Sequence, residues 1–199
     1  MEKGILCFRQ EVLVMPGPML YLSIAKKVNP NASIDFYVGN LAPDAIKNRE
    51  QKDTSHFYNV PDRENALREF ALKANNEYLK GMLLHLFVDG KWWETHLSKF
   101  VEKEDEGWYA KYNEENWKMG SYAYHNTEWA YSLFEQMENW DYNGFVETEF
   151  ITKENVIWFS GKLLLMKKPE ASTVFTPALI EKFAHDTADD FVKWCYCSK

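Results

Sequence analysis

The sequence predicts an all-α fold: a single domain, a multi-helix bundle of six or seven helices. Three observations lead there. Apolar residues recur at helical spacing in several separate stretches. Proline and cap residues punctuate those stretches where helices should start and stop. No stretch alternates apolar and polar residues as a half-buried strand would. The chain has 199 residues, 46% hydrophobic and 16% aromatic with eight Trp, which is enough for one domain with a real core. No internal repeat is visible.

Residues 1–14 look foreign to this pattern, which begins at Met15-Pro16-Gly17-Pro18. The codons available for Gln10-Glu11-Val12 include a bacterial ribosome-binding sequence just upstream of the Met15 codon. A start at Met15 is therefore expected, with residues 1–14 a non-native, poorly packed N-terminal extension and 15–199 the helical domain.

Pro16 and Pro18 suit a helix entrance, and Met19 to Val28 reads as helix with Leu20, Ile24 and Val28 on one face. Asn29-Pro30-Asn31 stops it. Residues 29–60 read as a long loop-rich segment, a kind of segment that is often functional. Asp62 is a plausible cap for a second helix with Leu67, Phe70, Ala71 and Ala74 inward. A third is expected from Glu77 to Val101, with Gly90 marking a bend or a close contact. The stretch from Glu106 to Met137 is rich in Trp and Tyr, and Trp117, Tyr124 and Tyr131 fit one helical face, expected in the core. Asn143-Gly144 marks a turn, Thr152 opens a helix to about Lys168, and Thr176-Pro177 caps and opens a last one to about Trp194.

The net charge of −7 and the lack of any Lys/Arg cluster give no support for binding duplex nucleic acid. Phosphate-bearing substrates remain compatible if a metal makes a site locally positive. Three cysteines, Cys7, Cys195 and Cys197, form no disulfide framework and suit a reducing compartment. No apolar run reaches the roughly 20 residues of a membrane span, and the N-terminus makes a poor signal peptide. A cytoplasmic location is the expectation. Oligomeric state is not legible.

His85 and Asp89 carry the strongest chemical signal. A four-residue step returns to one helix face, and here it sets an imidazole and a carboxylate side by side in an apolar run, Gly81-Met-Leu-Leu-His-Leu-Phe-Val-Asp89. Burying them without partners costs several kcal/mol, roughly. Taken alone, the pair is more simply a satisfied buried His–Asp contact. A divalent metal would also satisfy both, with Asp44 and His56 as further candidates. Two neutral imidazoles and two carboxylates would balance a 2+ ion.

The motifs Met15-Pro16, Gly39-Asn-Leu-Ala-Pro-Asp44, Ser55-His56-Phe57 and Gly81-Met-Leu-Leu-His85-Leu-Phe-Val-Asp89-Gly-Lys-Trp92 resemble, in order, those of the zinc-dependent phospholipase C and single-strand nuclease superfamily. The resemblance is to its small, uncharacterised bacterial branch and spans residues 15–93. It implies an all-α fold, one metal held by Asp44, His56, His85 and Asp89, and hydrolysis of phosphoester bonds. The branch usually carries a His on the first helix where this chain has Tyr21, a far poorer metal ligand. That departure argues against a multinuclear site.

Nitrogen and oxygen ligands without thiolate make zinc the first choice of ion, with iron, nickel or manganese as alternatives. Four closed ligands leave no position for water, so catalysis needs a mobile carboxylate or an expanded shell. Asp89 is the candidate mobile ligand and Glu94 the candidate outer base. A second site would draw on His96, His125 and Glu128, with His-x-x-Glu where the enzymes use His-x-x-x-Glu. The dipeptide His185-Asp186 lacks the partners a metal phosphohydrolase of that type needs and reads as a polar helix face. The function expected is a metal-dependent hydrolase acting on a small phosphoester. The rival is a catalytically decayed, metal-stabilised helical domain with a structural or partner-binding role.

Overall fold

In the computed structural model, which describes residues 16–97, 107–157 and 170–197, the regular elements are helical. Among the described residues there are eight α-helices of seven residues or more and no strand. They are α1 (Pro18–Val28), α2 (Ile34–Leu41), α3 (Arg49–Ser55), α4 (Arg63–Lys73), α5 (Glu77–Trp92), α6 (Trp108–Asn126), α7 (Ala130–Glu138) and α8 (Pro177–Cys197). A 3-10 turn (Ala42–Ala45) follows α2, and a π-helical turn (Trp93–Leu97) continues α5. The expected N-terminal extension and the later part of the helix expected to reach Lys168 lie outside the described residues. No described helix is long and apolar enough to cross a membrane.

The all-α expectation is met, with slightly more helices than six or seven. The surplus comes from residues 29–60, which hold α2, the 3-10 turn and α3 rather than a loop. The reason is physical. From Phe36 to Leu41 every residue of α2 is buried, whereas α3 has no buried residue. A helix buried on all sides shows no apolar stripe, and a wholly polar one shows none either. Where stripe and cap coincide, the boundaries are as expected. Asp62 accepts the Asn65 N–H at 3.0 Å, and Thr176 Oγ1 accepts that of Leu179 at 3.4 Å.

The Trp/Tyr stretch corrects another expectation. The chain breaks at Thr127 between α6 and α7, so Trp117, Tyr124 and Tyr131 do not share a helix. Trp117 and Tyr131 are exposed, and Tyr124 is only partly buried against the core. The inward side of α6 is instead Tyr112, Glu115, Met119, Gly120 and Ser121.

The core is built on α1 and α5. Met19 to Leu22, Ile24 and Ala25 are buried on α1, and so is almost the whole of Gly81 to Asp89 on α5. Each large apolar side chain buried there contributes about 1.5–3 kcal/mol. Helix α5 packs closely on α2, and α1 runs against α2, α6 and α8. The α2–α5 crossing is tight because glycines sit at it. A Cβ on Gly39 would stand 2.0 Å from the Tyr78 carbonyl oxygen, and one on Gly81 2.1 Å from that of Phe36. Backbone lies directly against backbone there, and no side chain can yield. Gly90 is a milder case, with its nearest neighbour the end of the Arg63 side chain.

Glu115 ties α6 to the segment before α8. Its Oε2 accepts from Ser172 Oγ at 2.7 Å and from the backbone N–H groups of Thr173 at 2.8 Å and Val174 at 3.2 Å. Burial works against the charge, but these donors outweigh it and hold the carboxyl at about 2 against an ordinary 4.5.

Two outcomes follow for stability. Gly81→Ala must part the α2–α5 crossing and should cost about 3 kcal/mol or more in denaturant unfolding. Glu115→Gln should cost about 2 kcal/mol at pH 7. A depressed folded pKa contributes stability that is present above the ordinary value and lost below it. The wild-type advantage over the Gln variant should therefore shrink as pH falls from 4.5 toward 2, which thermal unfolding at several pH values would reveal.

Candidate metal centre

Three elements converge on one buried point. Helix α5 brings His85 and Asp89, the 3-10 turn after α2 brings Asp44, and the C-terminal end of α3 brings His56. Both imidazoles are fully buried, Asp89 is 3% exposed, and the Asp44 side chain is 8% exposed. Donor atoms of Asp44, His56 and His85 all lie within 4.8 Å of one another. Asp89 Oδ2 is 3.5 Å from the Nε2 of each histidine, and Asp44 Oδ1 is 3.9 Å from that of His85.

The turn that delivers His56 is a specific one. Tyr58 N–H reaches back to Asp53 O at 2.9 Å and Phe57 N–H to Thr54 O at 3.1 Å, the paired bonds of a Schellman helix end. Phe57 occupies its left-handed position at φ 59°, where glycine is usual and a bulky residue costs on the order of 1–2 kcal/mol. Phe57 packs against the core, with its ring 6.2 Å from that of Phe70. That packing holds the turn, and the turn aims His56.

Each imidazole is oriented from behind. His85 Nδ1–H donates to the Asn40 carbonyl at 2.7 Å, and His56 Nδ1–H donates to the Lys52 carbonyl at 2.7 Å. A carbonyl only accepts, so each Nδ1 carries a proton, and in a neutral ring Nε2 then turns a bare lone pair toward the centre. Both Nε2 atoms are buried and without a hydrogen-bond partner. This is the backing that metal-ligating histidines receive. Lone pairs facing a carboxylate at 3.5 Å repel unless a cation lies between them. Asp44, His56 and His85, whose donor atoms lie within 4.8 Å of one another, could hold a divalent metal; Asp89 is not part of that group.

The electrostatics agree. Burial, and then the neighbouring His85, push the His56 imidazole well below its ordinary range, so it stays neutral. Burial raises the Asp89 carboxyl to about 6, against the pull of His85. For Asp44, burial acts upward, but the Lys52 ammonium beside it outweighs that and holds the carboxyl low. Lys52 Nζ stands 2.6 Å from Asp44 Oδ1 as an ion pair, approaching off the hydrogen-bonding direction.

Tyr21 touches the centre without being one of its four predicted ligands. Its hydroxyl donates to Asp89 Oδ1, and its ring stacks on His85 with centroids 4.1 Å apart. Tyr58 reaches Asp89 Oδ2 at 3.4 Å. Burial first, and the Asp89 charge second, keep both phenols protonated. Asp89 thus accepts at both oxygens, while Asp44, at the more exposed edge, is ion-paired with Lys52. Arg63 braces the assembly by donating to His56 O at 3.0 Å and Leu86 O at 2.6 Å.

The other predicted residues are placed elsewhere. Glu94 is exposed in the π-helical turn and lines a surface groove with Arg63, Lys91, Asp190 and Trp194, a groove that none of the four candidate ligands lines. His96 stacks on Trp92 at 4.7 Å, while His125 and Glu128 are exposed. Among the described residues these three form no cluster able to hold a metal. His185 and Asp186 pair along α8 with Asp189 and Lys182 on an exposed face. Sequence reasoning missed Asn40, Lys52 and Tyr58. The spacing of Lys52 from His56, one helical turn, was the signal available for one of them.

No family model, no curated protein and no solved structure matches this chain.

Tyr21→Phe keeps the ring on His85 and removes only the donor to Asp89. It should leave the fold intact and weaken metal binding by about tenfold, measured by competition with a chromophoric chelator.

Proposed function

We propose that this chain is a metal-dependent hydrolase acting on a small phosphoester, with one divalent ion, zinc first, held by Asp44, His56, His85 and Asp89. The observation that carries the metal reading is the pair of buried, partnerless Nε2 atoms facing carboxylate oxygens. Support for phosphoester chemistry comes from the ordered motif resemblance across residues 15–93 and from the cationic Lys52 beside the ligands. When bound, the ion supplies Lewis acidity toward a phosphoryl oxygen and an acidified water at neutral pH. The chain's own contribution is positional. Asn40 and the Lys52 carbonyl fix the imidazole tautomers, Tyr21 and Tyr58 donate to Asp89, and Lys52 pairs with Asp44.

A second reading is favoured by one observation. The four ligands are almost wholly buried, as suits an ion that holds three segments together without contacting substrate. The two readings part in a single experiment. Purified protein is assayed for metal and for hydrolysis of a chromogenic phosphodiester, with and without chelator. The hydrolase reading expects one equivalent of metal, chelator-sensitive hydrolysis, and loss of both in His85→Ala. Bound metal that raises the melting temperature without any hydrolysis would transfer the function to the structural reading. Folded protein with no affinity for any divalent ion would overturn both.

A further inference from the structure

Lys52 is the cation nearest the four ligands, and it stands on their exposed side. Its side chain is 15% exposed and that of Asp44 8%, against 0% for His56, His85 and Asp89. Among the four candidate ligands, Asp44 is thus the one nearest solvent, on the side where Lys52 stands. The ammonium lies 2.6 Å from Asp44 Oδ1, the same oxygen that stands 3.9 Å from His85 Nε2. A metal on that oxygen and an ammonium on that oxygen repel each other. Formal charge adds a second consequence. Two carboxylates and two neutral imidazoles cancel a 2+ ion, so Lys52 leaves the loaded centre at +1. A surplus positive charge at an edge near solvent suits an anion, and an ammonium with its three donors binds phosphoryl oxygens as a point charge.

We propose that Lys52 has two roles at this centre: it competes with the metal for Asp44, and it recognises the phosphate of an anionic ligand at the exposed edge. The proposal rests on the metal reading above and deepens it. The side chain can be altered without touching the backbone carbonyl that orients His56, which makes the competition separable from the scaffold.

The test compares wild-type protein with Lys52→Gln and Lys52→Arg, with Lys52→Met as a second neutral variant should the Gln protein be unstable. Zinc affinity is measured by competition with a chromophoric chelator. Binding of inorganic phosphate to the zinc-loaded proteins is measured by calorimetry. Removing the competing charge should tighten zinc binding by about tenfold in the neutral variants and abolish phosphate binding, while Lys52→Arg keeps both wild-type properties. Zinc affinity that is unchanged or weaker in the neutral variants would overturn the proposal, because Lys52 would then only be orienting Asp44. Unchanged phosphate affinity would overturn it as well. In either case a wild type that binds zinc leaves the metal reading standing. A wild type that binds no zinc overturns both.

Discussion

Helices α2 and α5 touch backbone to backbone at Gly39 and Gly81, and the candidate centre depends on that approach. Only at such a separation can the Asn40 carbonyl, near the end of α2, reach His85 Nδ1 on α5. The same approach sets the 3-10 turn with Asp44 against α5, with Asp44 Oδ1 3.9 Å from His85 Nε2. Neighbouring helices more commonly pack with axes 8–10 Å apart, kept there by side chains at the contact. With side chains at these two glycines, His85 would lose its orienting carbonyl and Asp44 its place.

Around the centre, each charge is managed by a different partner. Asp89 is buried and receives phenolic donors from Tyr21 and Tyr58. Asp44 is nearer solvent and faces an ammonium. The imidazoles spend their Nδ1 protons on carbonyls, which leaves two Nε2 lone pairs with nothing to bind. Unpaired polar atoms in an interior cost free energy that must be recovered elsewhere. A cation held by Asp44, His56 and His85 would recover it. On the first helix, Tyr21 places a donor hydroxyl on one Asp89 oxygen.

Much of this was legible before any coordinates. His85 and Asp89 stand one helical turn apart, and that spacing holds wherever the helix lies. Asp62 and Thr176 are local caps, and local rules place them. What was not legible depended on tertiary packing. Helix α2 is buried on every side from Phe36 to Leu41 and α3 is polar all round, so neither shows an amphipathic period in the sequence. Phe57 in a left-handed position conceals a helix end that glycine would have announced. Trp117 and Tyr131 look like core by residue type, yet the break at Thr127 puts them on separate helices with both side chains exposed. Asn40 acts through its backbone carbonyl, a group every residue has, and so carries no signal in the sequence.

The central claim is that one divalent ion sits where these four side chains meet. An anomalous scattering map from crystals of the zinc-loaded protein, collected on both sides of the zinc edge, tests it most directly. The account predicts a single peak in contact with Asp44, His56, His85 and Asp89, present above the edge and absent below it. A well-ordered protein with no peak there, or with the only peak at His96, His125 or the surface of α8, would contradict it.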